Sequence, residues 1–172
     1  FQPERVNFEF SADVRLKKNY YPVLEGGWSA YEIVADRLEY TASGVYFRAG
    51  MDYNILNTGR FSVNDMMYLG ARYAVAGYGT EITGFSIPER YWGDYQNAFG
   101  SRSLYTHWLE AVAGLRVELF RNFFIGFNLR GRLRVFTSEY YHLDPLYTPG
   151  FGKGKTPTAF GFNYSIFYLI GK

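Results

Sequence analysis

The sequence predicts an all-β protein, a small antiparallel up-and-down transmembrane β-barrel of about eight strands, seven of them recognisable in this chain. Three observations lead there. Arg130, Arg132 and Arg134 alternate with Leu129, Leu133 and Val135 in a segment that contains Phe123, Ile125 and Phe127. Side chains at i and i+2 share one face of a strand, so one face is apolar and the other carries Asn128 and three guanidinium groups. Short turns also alternate with long connections along the chain, as in barrels with short periplasmic turns and longer outer loops. Finally, aromatics make up 21% of the residues, with Tyr, Phe and Gly abundant and Pro scarce, which favours strands over helices.

Taken in order, the first strand runs over about 6–16. Phe8, Phe10, Ala12, Val14 and Leu16 lie opposite Glu9, Ser11, Asp13 and Arg15. The Lys17-Lys18-Asn19 turn leads to a second strand over about 20–28, less regular and interrupted by Pro22. A third, about 40–54, sets Val45, Phe47, Ala49, Met51 and Tyr53 against Tyr46, Arg48, Gly50 and Asp52. The fourth, about 63–82, sets Met67, Leu69, Ala71, Tyr73 and Val75 against Tyr68, Gly70 and Arg72. In the fifth, about 104–119, Leu109 to Leu119 alternate with Glu110, Val112, Gly114, Arg116 and Glu118. Phe120-Arg121-Asn122 turns into the arginine-bearing sixth strand, and a seventh spans about 158–170, with Phe160, Phe162, Tyr164 and Ile166 on one face. Residues 29–39, 84–103 and 139–157 read as long loops. Tyr91, Trp92, Trp108 and Tyr140 suit an interfacial aromatic girdle.

Composition bounds the rest. The chain of 172 residues is a single barrel domain over 1–172. No run reaches the ~18 apolar residues of a membrane helix, and mean hydropathy is slightly below zero, as befits strands that are half polar. A net charge of +2 with interspersed signs gives no nucleic-acid footprint. The absence of cysteine excludes disulfides, thiolate metal sites and a lipid-anchored cysteine in this chain. No signal peptide is visible at Phe1–Glu4, and export requires one, so a processed or trimmed chain is expected. With the short turns periplasmic, seven strands start outside and end in the periplasm. Bacterial barrels have even strand numbers, so an N-terminal strand is expected to be missing or supplied by another chain.

Several ordered blocks carry a family resemblance: 31–36, 49–54, 64–73, 106–110, 124–128, 146–151 and the closing 160–170. Together they resemble an uncharacterised family of small predicted outer-membrane barrels from Bacteroidota. The resemblance implies an exported eight-stranded barrel with a strand ahead of the region matching Val6, and no catalytic assignment.

The expected lumen holds Glu9, Asp13, Arg15, Glu25, Arg48, Asp52, Arg72, Glu110, Arg116, Glu118, Arg130, Arg132 and Arg134, six acids against seven bases. An eight-stranded barrel is just wide enough for its own side chains, so these charges read as a structural salt-bridge network that plugs the lumen. A selective pore would need a wider barrel or an excess of one sign. Loop aromatics Tyr91, Trp92, Tyr95, Phe99, Tyr140, Tyr141, Tyr147 and Phe151 suit a partner surface. His107 with Ser101 or Ser103 is the one arrangement that could imitate a lipid A-modifying enzyme, against a plain interfacial His beside Trp108. His142-Leu143-Asp144 falls short of a metal's ligand count. Gly150 to Thr156 lacks the spacing of a phosphate loop, leaving Lys153 and Lys155 as contacts for anionic headgroups.

The expectation is therefore a non-enzymatic outer-membrane barrel without metal or cofactor, a structural or accessory subunit of a cell-envelope complex. It would contact outer-membrane lipid, lipopolysaccharide and another outer-membrane or periplasmic protein. Two alternatives stand beside it: a lipid A-modifying enzyme using His107, and a soluble calycin-like ligand binder with the apolar face turned inward. Alternation alone does not say which face is inside.

Overall fold

A computed structural model describes residues 4–16, 19–35, 38–56, 65–87, 95–138 and 145–170. The strands are β1 (Glu4–Asp13), β2 (Tyr20–Ala35), β3 (Leu38–Asn54), β4 (Met66–Ile87), β5 (Tyr95–Phe120), β6 (Phe123–Thr137) and β9 (Thr158–Tyr168). They form one antiparallel up-and-down sheet in the order β1-β2-β3-β4-β5-β6-β9, curled into a half-barrel. Two short strands, β7 (Tyr147–Thr148) and β8 (Gly152–Lys153), make a separate hairpin between β6 and β9. Curling brings Asn163 of β9 to 3.5 Å from Glu9 of β1 across the interior.

Period-2 alternation sets the two faces. Phe10, Leu24, Phe47, Leu69, Leu129, Phe162 and Ile166 point outward and are exposed, while Glu25, Arg48, Asp52, Arg72, Glu110 and Arg130 are buried inside. The apolar exterior runs from Val45 to Tyr53 on β3 and from Met67 to Val75 on β4. Beyond it toward the long loops, the same face turns polar or small, with Ser43 and Thr41 on β3 and Gly77, Gly79 and Glu81 on β4. Pro22 fits β2 because its carbonyl faces Val14, just past the end of β1, so its absent N–H costs no ladder bond. The Phe120–Asn122 turn is closed by Asn122 in the left-handed region at φ 68, a conformation Asn tolerates better than most residues. Glu118 Oε1 accepts from its backbone N–H at 3.1 Å.

Three loop expectations need correction. Ser29–Ala35 and Gly84–Ile87 are strand, and β5 begins at Tyr95 rather than near Leu104. These stretches continue the β2–β3 and β4–β5 ladders, with Ala35 opposite Leu38 and Ile87 opposite Tyr95. On β2 the outward Ala30 and Glu32 are small or polar, so the alternation that marks the rest of the strand fades although backbone pairing persists. The third loop contains the β7–β8 hairpin, which folds back into the half-barrel.

Candidate functional site

The interior is layered, and a charged layer occupies its middle. Glu25 on β2 is the hub: Arg72 Nε donates to its Oε1 at 2.8 Å, and Arg48 and Arg130 Nη1 donate to its Oε2 at 3.0 and 2.7 Å. Arg48 and Arg130 also reach Glu9, at 2.8 and 3.1 Å. Arg72 holds Asp52 through two parallel bonds of 2.8 and 3.0 Å. Glu110 takes Arg132 at 3.1 Å and lies 3.0 Å from Arg48 Nε. Four acids thus meet four arginines, and six of the eight side chains are at most 3% exposed. Burial of isolated charges would be prohibitive, and pairing with further hydrogen bonds is what makes the layer tolerable.

Aromatic layers flank it. Toward the short turns lie Met66, Tyr68 and Val112 with Tyr21, beside a bidentate Arg116–Asp13 pair at 3.0 and 2.9 Å. Arg116 also stacks over Phe167, 4.0 Å from its ring centre. Toward the long loops, Tyr46, Ala74, Ala76, Tyr78, Leu104 and Trp108 enclose Phe151, and Tyr40 and Ala42 pack on Tyr147. Burial pushes the Tyr40 phenol up to about 12, so it stays neutral and serves as wall.

Phe151 and Tyr147 belong to the inserted β7–β8 hairpin, which is gripped by its backbone. Arg48 donates to Gly150 O at 3.0 Å, Arg132 to Phe151 O at 2.9 Å, and Arg134 to Gly154 O. Ser29 and Tyr147 share a hydroxyl contact of 2.9 Å, and Tyr31 stacks on Tyr147 with ring centres 4.5 Å apart.

Most of the expected lumen residues do meet here: Glu9, Glu25, Arg48, Asp52, Arg72, Glu110, Arg130 and Arg132 in one network, Asp13 with Arg116 below, and Arg134 on the hairpin. Two do not join it. Arg15 lies past the end of β1 and is exposed, and Glu118 serves the Phe120–Asn122 turn. Trp108 is not a girdle residue. It is fully buried inside and donates from Nε1 to Glu110 at 2.7 Å, because its parity is that of Glu110, opposite to His107. Tyr147 and Phe151 are likewise buried rather than presented to a partner. Tyr91, Trp92, Tyr140, Tyr141, His142 and Asp144 lie outside the described residues, and Tyr95 is placed as the first residue of β5.

Tyr46 shares the face of Arg48 by parity, yet it was not among the expected lumen residues, which were all charged. Its hydroxyl lies 2.9 Å from Glu9 and 3.1 Å from Asn7. Its ring fits because Gly27 has no side chain: a Cβ there would sit 2.4 Å from the phenol. Asn128 Oδ1 similarly orients Arg130 through Nε at 2.8 Å.

On the outer face, His107 Nδ1 is 2.7 Å from the Tyr73 hydroxyl, within a cluster that includes Tyr105 and Phe136. Ser103 pairs with Gly79, four residues along β5 from His107, about 13 Å in an extended strand. Ser103 is thereby kept from the imidazole. No group of three or more His, Cys, Asp or Glu able to hold a metal occurs among the described residues.

The family model for a domain of unknown function, DUF6048, matches residues 1–171, so the chain belongs to that family. No curated protein and no solved structure matches it.

Proposed function

We propose that this DUF6048 protein is an integral outer-membrane barrel of the Bacteroidota envelope, plugged and non-enzymatic, serving as a structural or accessory subunit of a larger assembly. The inverted polarity carries the reading: greasy side chains outside, paired charges inside. The apolar stretches Val45–Tyr53 and Met67–Val75 also match the ~9–11 residues of a tilted membrane strand. A soluble calycin-like binder needs an apolar interior, whereas here charges and the inserted hairpin fill it.

Closure by an eighth strand is part of the proposal. In a seven-stranded antiparallel meander the first and last strands run the same way, and β1 and β9 each have one unpaired edge among the described residues. One strand antiparallel to both would satisfy both edges, which in hydrocarbon would otherwise cost several kcal/mol for each open N–H or C=O. The charge layer and hairpin together argue against conduction, so planar-bilayer recordings should show no stable channel. Lipid, lipopolysaccharide and a further envelope protein are the expected contacts, and copurification in mild detergent should recover a stoichiometric companion.

Leu129→Arg tests the orientation. Leu129 is 54% exposed in the middle of the β6 apolar run. Facing the bilayer midplane, the substitution should cost about 2–4 kcal/mol of folding stability in lipid. Facing water it would be nearly neutral, within about 0.5 kcal/mol, and that result would remove the membrane reading. A lipid A-editing role retains one favourable feature, the Tyr73–His107 bond that orients the imidazole. Lipid A unchanged by mass spectrometry in a His107→Ala strain would eliminate it.

A further inference from the structure

The lipid-facing side of the barrel is not uniform. Ala71, Ala111 and Gly131 face one another across β4, β5 and β6 in a single register row that continues to Phe160. Having almost no side chains, they floor a depression of about 540 Å³, walled by Tyr73, Leu109, Leu133 and Phe160. It is a shallow, open depression rather than an enclosed cavity. The Phe160 ring leans over Gly131, 3.5 Å from where a Cβ would stand.

A polar pair stands at one end of this apolar trough. Tyr73 lines it and bonds His107 Nδ1 at 2.7 Å. The contact with Tyr73 occupies Nδ1 and leaves Nε2 as the ring nitrogen without a hydrogen-bond partner among the described residues; with the tyrosine as donor, Nε2 carries the proton. The β5–β6 register shifts between His107 and Trp108, so His107 faces Phe136 while Trp108 faces Arg134. That bulge turns both Val135 and Phe136 outward, and Phe136 packs on His107 with ring centres 6.1 Å apart. Bulges that re-aim side chains are over-represented beside functional sites. The pair lies at the long-loop end of the apolar band, where acyl chains meet headgroups under the membrane reading. Protonated, Nε2 is a donor that requires an acceptor at this depth.

We propose that the trough and the His107–Tyr73 pair form a binding site for one phosphate-bearing acyl lipid, with a chain along Ala71, Ala111 and Gly131 and the headgroup phosphate on His107 Nε2. The proposal rests on the membrane reading and adds a defined lipid to it. A free phosphate would leave the trough unused, and a phosphate oxygen accepts from an N–H more strongly than the ester oxygens of an uncharged lipid.

Native mass spectrometry of the detergent-purified protein, titrated with dimyristoyl phosphatidic acid, dimyristoylglycerol or inorganic phosphate, tests it. The wild type should retain one phosphatidic acid and neither of the others. Ala111→Leu, which fills the trough, and His107→Ala, which removes the donor, should each lower retention about tenfold. Both positions are on the outer surface, and Ala71→Leu replaces Ala111→Leu if the latter does not fold. Retention unchanged in both variants, or equal retention of dimyristoylglycerol, overturns the site. Heat-modifiable migration of the same samples separates the two failures: a compact barrel with unselective binding sinks only this site, whereas no heat-dependent shift sinks the membrane reading and the site with it.

Discussion

Replacing Glu25 by Gln should lower the folding stability of this protein by about 3–5 kcal/mol, the cost of leaving a buried charge without its counter-ion. The substitution preserves shape and removes one negative charge from a layer in which Arg48, Arg72 and Arg130 all converge on that carboxylate. Gln can still accept a hydrogen bond, so any loss beyond about 1 kcal/mol reports charge imbalance rather than a missing contact. The companion variant Glu25→Gln/Arg130→Met restores the balance, because Glu9 keeps Arg48 and Glu110 keeps Arg132. It should recover more than half of the loss, a non-additivity characteristic of groups in one network. Denaturant midpoints in micelles, followed by far-UV circular dichroism, read both variants. A single variant as stable as wild type would mean that Glu25 is not enclosed by three guanidinium groups.

The second large effect is expected at Gly150. Its φ of +75 lies in the left-handed region, and an added Cβ would stand 2.6 Å from the Tyr46 ring. Gly150→Val therefore combines backbone strain of roughly 1–2 kcal/mol with overpacking of about 1–3 kcal/mol. The β7–β8 hairpin should leave the interior, releasing the Gly150 and Phe151 carbonyls from Arg48 and Arg132. Trypsin should then cut at Lys153 and Lys155 at least about tenfold faster, following the rise in the open population. Conductance should stay absent, because the charged layer lies below the hairpin. Cleavage at the wild-type rate would show that the hairpin does not depend on this glycine.

The two outcomes would also separate what each layer does. Loss of stability without exposure of the hairpin would assign the charged layer to holding the wall together. Exposure of the hairpin with little loss of stability would make the insert a detachable upper plug.

Much of this arrangement is legible from neighbouring residues. The alternation of Leu129, Leu133 and Val135 with Arg130, Arg132 and Arg134 is a property of a few consecutive positions, and it identified both the strand and its two faces. Glu9, Arg48, Asp52, Arg72 and Glu110 were found the same way. Trp108 was misplaced where its residue type was weighed above its parity: tryptophan suggests an interface, yet its position is in phase with Glu110. The β2 extension was missed because its outward Ala30 and Glu32 lack the apolar contrast that periodicity detects. His107 shares the outward parity of Leu109, but its tyrosine partner comes from β4, 34 residues away.

By itself, then, the chain determined where the seven main strands lie, the two faces of each and the near-balance of charge on the polar one, while the folded sheet decided which face is inside. Only the tertiary structure decided which acid meets which arginine, since Glu25 and Arg130 are 105 residues apart in sequence and meet only when the sheet curls. It alone placed the hairpin in the upper interior and opened the trough beside His107. A strand's periodicity is written in consecutive residues, whereas pairing across an interior depends on curvature and register accumulated over the whole sheet.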